Sequence, residues 1–489
     1  MQIKQVPISI NRQVLHFTPD ESRVVTRFFT PGDKKRINNI FERILLLSHQ
    51  QVQEILNEVI ANFESRHRNI KRIFKNNFDT IVKRVEFEQD FTLAQKLLIG
   101  SYFTMEYSIE SAALFNPSIV VAPDEIPTKS KRLKVIMSFR AVGEGHISSI
   151  VFRKGIVKEN GELLVEKNSA LVEKVNRNPD PIYIKNNFVL KLRELNAYHE
   201  VERIMDNLLE DFTLDELKES IEDFTKRRKK ISHECQEAID ILMWLANANY
   251  EIKFSPEMNL SGRVIFPVST NEIKGVEDAR FVQFEREDGT LVYYATYTAY
   301  NGFTALPQLI ETRDFCHFKV SILMGEGSKG KGMALFPRKI DGKFVTISRN
   351  DNENIYIMYS NNIRYWENPI LLKPPAFYWE FFQIGNCGSP IETEKGWLLL
   401  IHGVGPVRTY CISAILLDLE DPSKVIGLMK APILIPEEKE RNGYVPNVVY
   451  SCGALIHNNK LILPYAMSDT RTGIASMDIQ EVFDNMVFY

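Results

Sequence analysis

Four short turn signals punctuate the second half of the chain: Asp288-Gly289, Asp341-Gly342, Lys395-Gly396 and Asn458-Asn459. Each precedes an apolar strand, and each strand is followed by another that ends in polar or turn residues. The turns recur at intervals of about 50 to 65 residues, the length of a four-stranded propeller blade with generous loops. An earlier unit, from Lys134-Val135-Ile136-Met137-Ser138-Phe139-Arg140 through Ile150-Val151-Phe152, supplies a further repeat, so five blades are implied. In such a fold the inner strands converge on a central funnel. Functional residues then belong near inner-strand ends in several blades, not in one segment.

Two stretches break the β pattern. From Lys34 to about Phe63, apolar residues recur at Ile37, Ile40, Ile44, Leu45, Val52, Ile55, Leu56 and Val59, the spacing of an amphipathic helix. A second helical block, from about Asn196 to Asn249, contains Thr213-Leu214-Asp215-Glu216, a capping box before Leu217. The expected organisation is mainly β: an N-terminal helical domain over 1–105, then a five-bladed β-propeller over 106–489 with a helical insertion at about 196–249. A length of 489 residues exceeds one ordinary core and suits this division. The run Lys226-Arg227-Arg228-Lys229-Lys230 reads as a solvated helix face or as a patch for an anionic ligand.

Charge and cysteines narrow the setting. A net charge of −3, with no basic stripe interleaved with aromatics, argues against a nucleic-acid partner. Cys235, Cys316, Cys387, Cys411 and Cys452 are widely spaced and never form a Cys-x-x-Cys pair, so a reduced, cytoplasmic protein without a structural metal is expected. The segment Met1-Gln2-Ile3-Lys4-Gln5-Val6-Pro7 lacks the apolar run of a signal peptide. No stretch approaches the roughly 20 apolar residues of a membrane span, so no membrane partner is expected.

The chemistry centres on Gly275-Val276-Glu277-Asp278-Ala279-Arg280, which places two carboxylates and an arginine before the alternating strand Leu291-Val292-Tyr293-Tyr294-Ala295-Thr296-Tyr297. An acid held at a strand start among aromatics suits protonation of a glycosidic oxygen. Adjacent residues of an extended strand point to opposite faces, so at most one of the pair reaches a common funnel. A turn or cap role for the pair is the alternative reading.

Several ordered motifs resemble glycoside hydrolase family 130, from roughly Glu106 to the C-terminus. They are the hexapeptide above, Ala334-Leu335-Phe336-Pro337-Arg338-Lys339, Trp379-Glu380 with Ile384-Gly385, Gly396-Trp397-Leu398-Leu399-Leu400-Ile401-His402-Gly403, and Leu416-Leu417-Asp418-Leu419-Glu420-Asp421-Pro422-Ser423. Val445-Pro446-Asn447-Val448-Val449 and Ser468-Asp469-Thr470-Arg471-Thr472-Gly473-Ile474-Ala475 continue the series. The resemblance implies a five-bladed propeller acting on β-mannosides, with an oligosaccharide substrate and no cofactor. It implies Asp278 as general acid, in some members passing its proton through a mannose hydroxyl, with Glu277 structural or paired with Arg280. Lys331, Arg349 and His402 match the positions that grip inorganic phosphate as co-substrate. Asn116, Arg140 and Asp469 match mannose contacts, and Tyr297 and Tyr300 border the acceptor side.

Two activities run on such a site. An inverting hydrolase needs a second carboxylate to activate water. A phosphorylase needs only the acid, together with cations that hold the phosphate anion. Lys331, Arg349 and His402 are all cationic or hydrogen-bond donors, which favours inverting phosphorolysis of β-linked, preferably β-1,2-linked, manno-oligosaccharides to α-mannose 1-phosphate. A β-mannosidase using Glu326 or Glu380 and a non-catalytic sugar-binding propeller are the alternatives. Two positions depart from the family pattern: Gln383 stands where a lysine is common, and Ala279 where a proline is usual. The N-terminal helices are expected to mediate homo-oligomer contacts or to lay Thr30-Pro31-Gly32-Asp33 over the site.

Overall fold

The structure, a computed structural model, describes residues 3–85, 90–124, 131–174, 182–228 and 230–489; Met1, Gln2 and Lys229 lie outside them. The protein is mainly β, and most of its strands fall into five antiparallel sets in chain order. The first runs Ala113–Val121, Leu133–Val142, Ser148–Val157 and Leu163–Val165. The second runs Gly275–Glu285, Leu291–Tyr300, Ala305–Thr312 and His317–Ile322, with Tyr250–Lys253 added outside. The third comprises Ala334–Leu335, Phe344–Ser348, Ile355–Ser360 and Ile370–Lys373. The fourth comprises Gln383–Asn386, Gly396–Val404, Tyr410–Leu417 and Val425–Leu428. The fifth is Val449–Tyr450, Lys460–Met467, Arg471–Asp478 and, as its outer strand, Asn11–Phe17.

The four turns read from the sequence lie within these units, each ahead of the second strand of its set. Packing explains the unbroken apolar run Trp397–Ile401. Side chains alternate across a strand, and here both faces are covered. Leu398 and Leu400 pack with Leu461 and Leu463 of the fifth set. Leu399 and Ile401 pack with Ile347 and Ile357 of the third.

The N-terminal region carries α1 (Lys34–Leu45), α2 (His49–Phe63), α3 (Ile70–Ile81) and α4 (Leu93–Tyr102). The single helix expected over 34–63 is two, because Ser48 caps α2 in a reciprocal box with Gln51. Gly100 allows α4 to lie against α3: a Cβ there would sit 1.9 Å from the Phe74 carbonyl oxygen. Residues 1–105 are not wholly helical, since Asn11–Phe17 joins the fifth set and Val24–Phe28 pairs with Thr104–Ser108.

The insertion begins earlier than expected. Its helices are α5 (Lys185–Glu194), α6 (Tyr198–Asp206), α7 (Leu214–Lys226) and α8 (His233–Ala248), and Thr213 and Glu216 form the expected box. In the basic run, Lys226 pairs with Glu222 and Arg228 lies 4.0 Å from the Phe224 ring centroid. Asp33 caps α1, so the Thr30–Asp33 turn serves the helix start. All five cysteines are buried and free, and no helix among the described residues is long and apolar enough to cross a membrane.

Candidate active site

Side chains from all five sets meet at one end, the end carrying the start of each first strand and the hairpin between second and third strands. Asn116 and Asp278 hold equivalent places near the starts of their strands. Each sits at a register shift with left-handed backbone, φ 47° for Asn116 and 56° for Asp278. Such bulges re-aim a side chain, and these two meet: Asn116 Nδ2 donates to Asp278 Oδ1 at 2.6 Å. The bulge therefore decides which carboxylate faces which partner, a feature that strict strand alternation does not contain.

Arg140, near the end of the second strand of the first set, organises the carboxylates. Its Nη1 donates to Asp278 Oδ1 at 3.4 Å, its Nη2 to Glu277 Oε1 at 2.7 Å and its Nε to Ser148 Oγ at 2.9 Å. Glu277 Oε2 accepts from Lys331 Nζ at 2.8 Å, so Glu277 bridges Arg140 to Lys331 and does not pair with Arg280. Burial works to raise the pKa of Asp278, but Arg140, Arg280, the Asn116 hydrogen bond and Lys331 outweigh it and hold the carboxyl below its ordinary range. Asp469, in the hairpin of the fifth set, shifts the other way. Burial and the charge of Asp278 raise it to about 6 against the opposing pull of Arg140 and Arg408.

Arg349 follows the second strand of the third set, and His402 lies near the end of the second strand of the fourth. Arg349 Nη1 approaches His402 Nε2 at 3.3 Å, while His402 Nδ1 faces the Asn386 carbonyl oxygen at 3.3 Å. Burial, then Arg349 and Arg280, depress the His402 pKa well below the imidazole range. A neutral ring whose Nδ1 meets a carbonyl carries its proton there, so Nε2 accepts from Arg349. His402, expected as a cation or hydrogen-bond donor toward phosphate, thus turns its Nε2 to Arg349. Gly385 makes room for this arrangement, because a Cβ there would lie 2.5 Å from His402 Cε1.

Gln383 also serves Arg349. With its amide oxygen turned to the donors, it accepts from Arg349 Nη1 at 3.0 Å and from the Tyr410 hydroxyl at 3.2 Å. The guanidinium does not pair with Asp351, which instead caps its own turn through the Glu353 and Asn354 amides. Two buried polar atoms here find no partner among the described residues, Arg349 Nε and Asn116 Oδ1. Buried polar groups ordinarily have partners, so both are exceptions to that rule.

The two tyrosines separate. Tyr297 is 2 % exposed, and its hydroxyl is bound to Glu272 and Gln308 in the core, so it does not border a substrate. Tyr300 is half-buried beside the site, with Lys331 Nζ 5.7 Å from its ring centroid. Glu380 is fully buried; its Oε1 accepts from Lys373 Nζ, Ala376 N and Phe377 N, and its Oε2 has no partner among the described residues, while Glu326 is exposed on the loop beside Gly325, whose amide donates to Glu194 of the insertion. Sequence reasoning missed Asn386 and Tyr450, although Asn386 directly follows the Ile384-Gly385 motif.

The family profile of glycoside hydrolase family 130, described as β-1,4-mannooligosaccharide phosphorylase, matches residues 228–487. A 1,2-β-oligomannan phosphorylase of Thermoanaerobacter sp. strain X514 is 35% identical over 234 residues, 46% of this chain and 75% of that protein. A β-1,2-mannobiose phosphorylase of Listeria innocua is 27% identical over 364 residues, 72% of this chain and 95% of that one. A solved structure of β-1,2-mannobiose phosphorylase from Listeria innocua, in complex with β-1,2-mannobiose, aligns with TM-score 0.43 and 22% identity, covering 78% of this chain and 92% of that one. With a profile match across more than half its length and a relative above 30% identity, the chain belongs to glycoside hydrolase family 130 and is an enzyme of the mannoside phosphorylase type.

Proposed function

We propose that the enzyme cleaves β-linked manno-oligosaccharides with inorganic phosphate, inverting the anomeric centre to give α-mannose 1-phosphate. The observation that carries this reading is Arg349: a guanidinium held by His402 and Gln383, with no carboxylate paired to it among the described residues, on the same end of the molecule as Asp278. Lys331, half-exposed and shared with Glu277, adds a second cation. The ion pair of Glu380 Oε1 with Lys373 in the core and the exposure of Glu326 weigh against a hydrolase that uses either as base.

In this reading Asn116, Arg140 and Asp469 hold the mannose, and Tyr300 stands on the acceptor side. A phosphate oxygen forms a bond to the anomeric carbon as the bond to the leaving sugar oxygen breaks, and that oxygen takes a proton from Asp278, directly or through a mannose hydroxyl. Asp278 is held ionised by its surrounding cations, so it must take up a proton from solvent before it can give one. A phosphate dianion beside Lys331 and Arg349 opposes those cations and raises the proton affinity of Asp278. Phosphate is then both the nucleophile and the charge that readies the acid.

The five sets support a five-bladed propeller, in which Asn11–Phe17 closes the ring as the outer strand of the last blade. The helices at 34–102 and 185–248 then form additions to it. The names of the Thermoanaerobacter and Listeria relatives support β-1,2 linkages, whereas the profile description names β-1,4. Incubation with β-1,2- and β-1,4-linked mannobiose and mannotriose, each with and without phosphate, separates these. Phosphate-dependent loss of the β-1,2 series is expected. Preference for the β-1,4 series overturns the linkage, and phosphate-independent release of mannose overturns phosphorolysis.

A further inference from the structure

Beneath the site lies a buried pair, Arg280 and Asn386, to which the reading above gives no positioning role. Arg280 and Asn386 are 3% and 2% exposed. Arg280 Nη1 donates to the main-chain carbonyl of Asp278 at 3.0 Å, its Nε to Asn386 Oδ1 at 3.1 Å, and its Nη2 to the Tyr450 hydroxyl. Asn386 Nδ2 donates to the carbonyl of Gly332, the residue after Lys331, and the Asn386 carbonyl receives His402 Nδ1. One connected pair therefore touches the backbone of the acid, the loop that carries Lys331 and the imidazole that orients Arg349.

We infer that Arg280 and Asn386 are positioning residues that hold the acid and the phosphate-binding groups in a common register. Asp278 has left-handed backbone, which a non-glycine residue keeps only where its surroundings hold it. Arg280 supplies that hold at the carbonyl itself. Its planar fork reaches three acceptors, on Asp278, Asn386 and Tyr450, from three nitrogens, and a lysine point charge cannot reproduce this. Asn386 works at the other end, fixing Gly332 and the His402 ring. The inference rests on the phosphorolysis reading for the identity of the groups positioned.

The test compares wild type, Arg280→Lys and Asn386→Ala by kcat, by KM for phosphate and by calorimetric affinity for β-1,2-mannobiose without phosphate, with melting temperatures alongside. A misplacement of about 1 Å costs on the order of 10²-fold in rate. Arg280→Lys is expected to lose about that in kcat with both affinities held within roughly threefold. Asn386→Ala is expected to raise KM for phosphate about tenfold or more while mannobiose affinity stays within roughly threefold. Unchanged kinetics in both variants overturns the inference, as does a uniform loss of all parameters that tracks the melting temperature. Should either variant fail to fold, Tyr450→Phe, which removes one acceptor of Arg280, is expected to lower kcat at temperatures well below its melting transition while mannobiose affinity stays within roughly threefold; an unchanged kcat counts against the positioning role. A wild type lacking phosphate-dependent turnover contradicts the phosphorolysis reading instead, so the two failures are distinct.

Discussion

At the scale of single residues, the site is a set of opposed carboxyl groups. Asp278 is held ionised by cations, and Asp469, beside it in the same field, is raised to about 6. Replacing Asp278 with Asn removes the proton donor and is expected to cost about 10²–10⁴-fold in kcat while mannobiose binding persists, measured by steady-state kinetics and calorimetry. The Asp469 carboxyl has a folded pKa above its ordinary 3.8, so its contribution to stability is present at low pH and is lost as pH rises through about 6. Asp469→Asn should therefore melt above wild type at pH 8, by up to about 3 kcal/mol in stability, and the advantage should vanish near pH 4. Equal melting temperatures at pH 8 contradict that account. Most of these residues were legible because each lies in a short motif. Their partners were not: Glu277 with Lys331, Gln383 with Arg349 and Arg280 with Asn386 are pairings between sheets, and sequence spacing contains no trace of them.

At the scale of elements, the turns and strands were legible because Gly and Asn at hairpins and period-two alternation are local signals. The bulges at Asn116 and Asp278 were not, because their left-handed backbone is held by contacts from other strands. The break between α1 and α2 was written in the Ser48 and Gln51 pair, yet the apolar period continues across it and conceals it. Gly385 is where element geometry meets function. Gly385→Ala pushes a methyl group against His402 and reaches Arg349 Cδ at 3.4 Å, so KM for phosphate should rise about tenfold with mannobiose affinity unchanged. An unaltered KM in that variant removes His402 from the support of Arg349.

At the scale of the whole molecule, the N-terminal strand pairs with Arg471–Asp478, joining the two ends of the described chain in one sheet. Ile8 and Phe17 are buried in the cores it covers. Deleting residues up to Phe17 should lower the melting temperature by more than about 5 °C, through lost strand pairing and burial, as followed by circular dichroism. A smaller effect speaks against closure of the ring by this strand. This link escaped a sequence reading that assigned residues 1–105 to one helical domain, since nothing local in Asn11–Phe17 names a partner more than 450 residues away.

The central claim joins all three scales: groups from five strand sets are arranged so that phosphate, not water, attacks the mannosyl carbon. Phosphorus NMR of a reaction containing β-1,2-mannobiose and inorganic phosphate tests it most directly. The account predicts that the phosphate signal falls as an α-mannose 1-phosphate signal rises in equal amount. Free mannose from both halves of the disaccharide, with the phosphate signal unchanged, contradicts it.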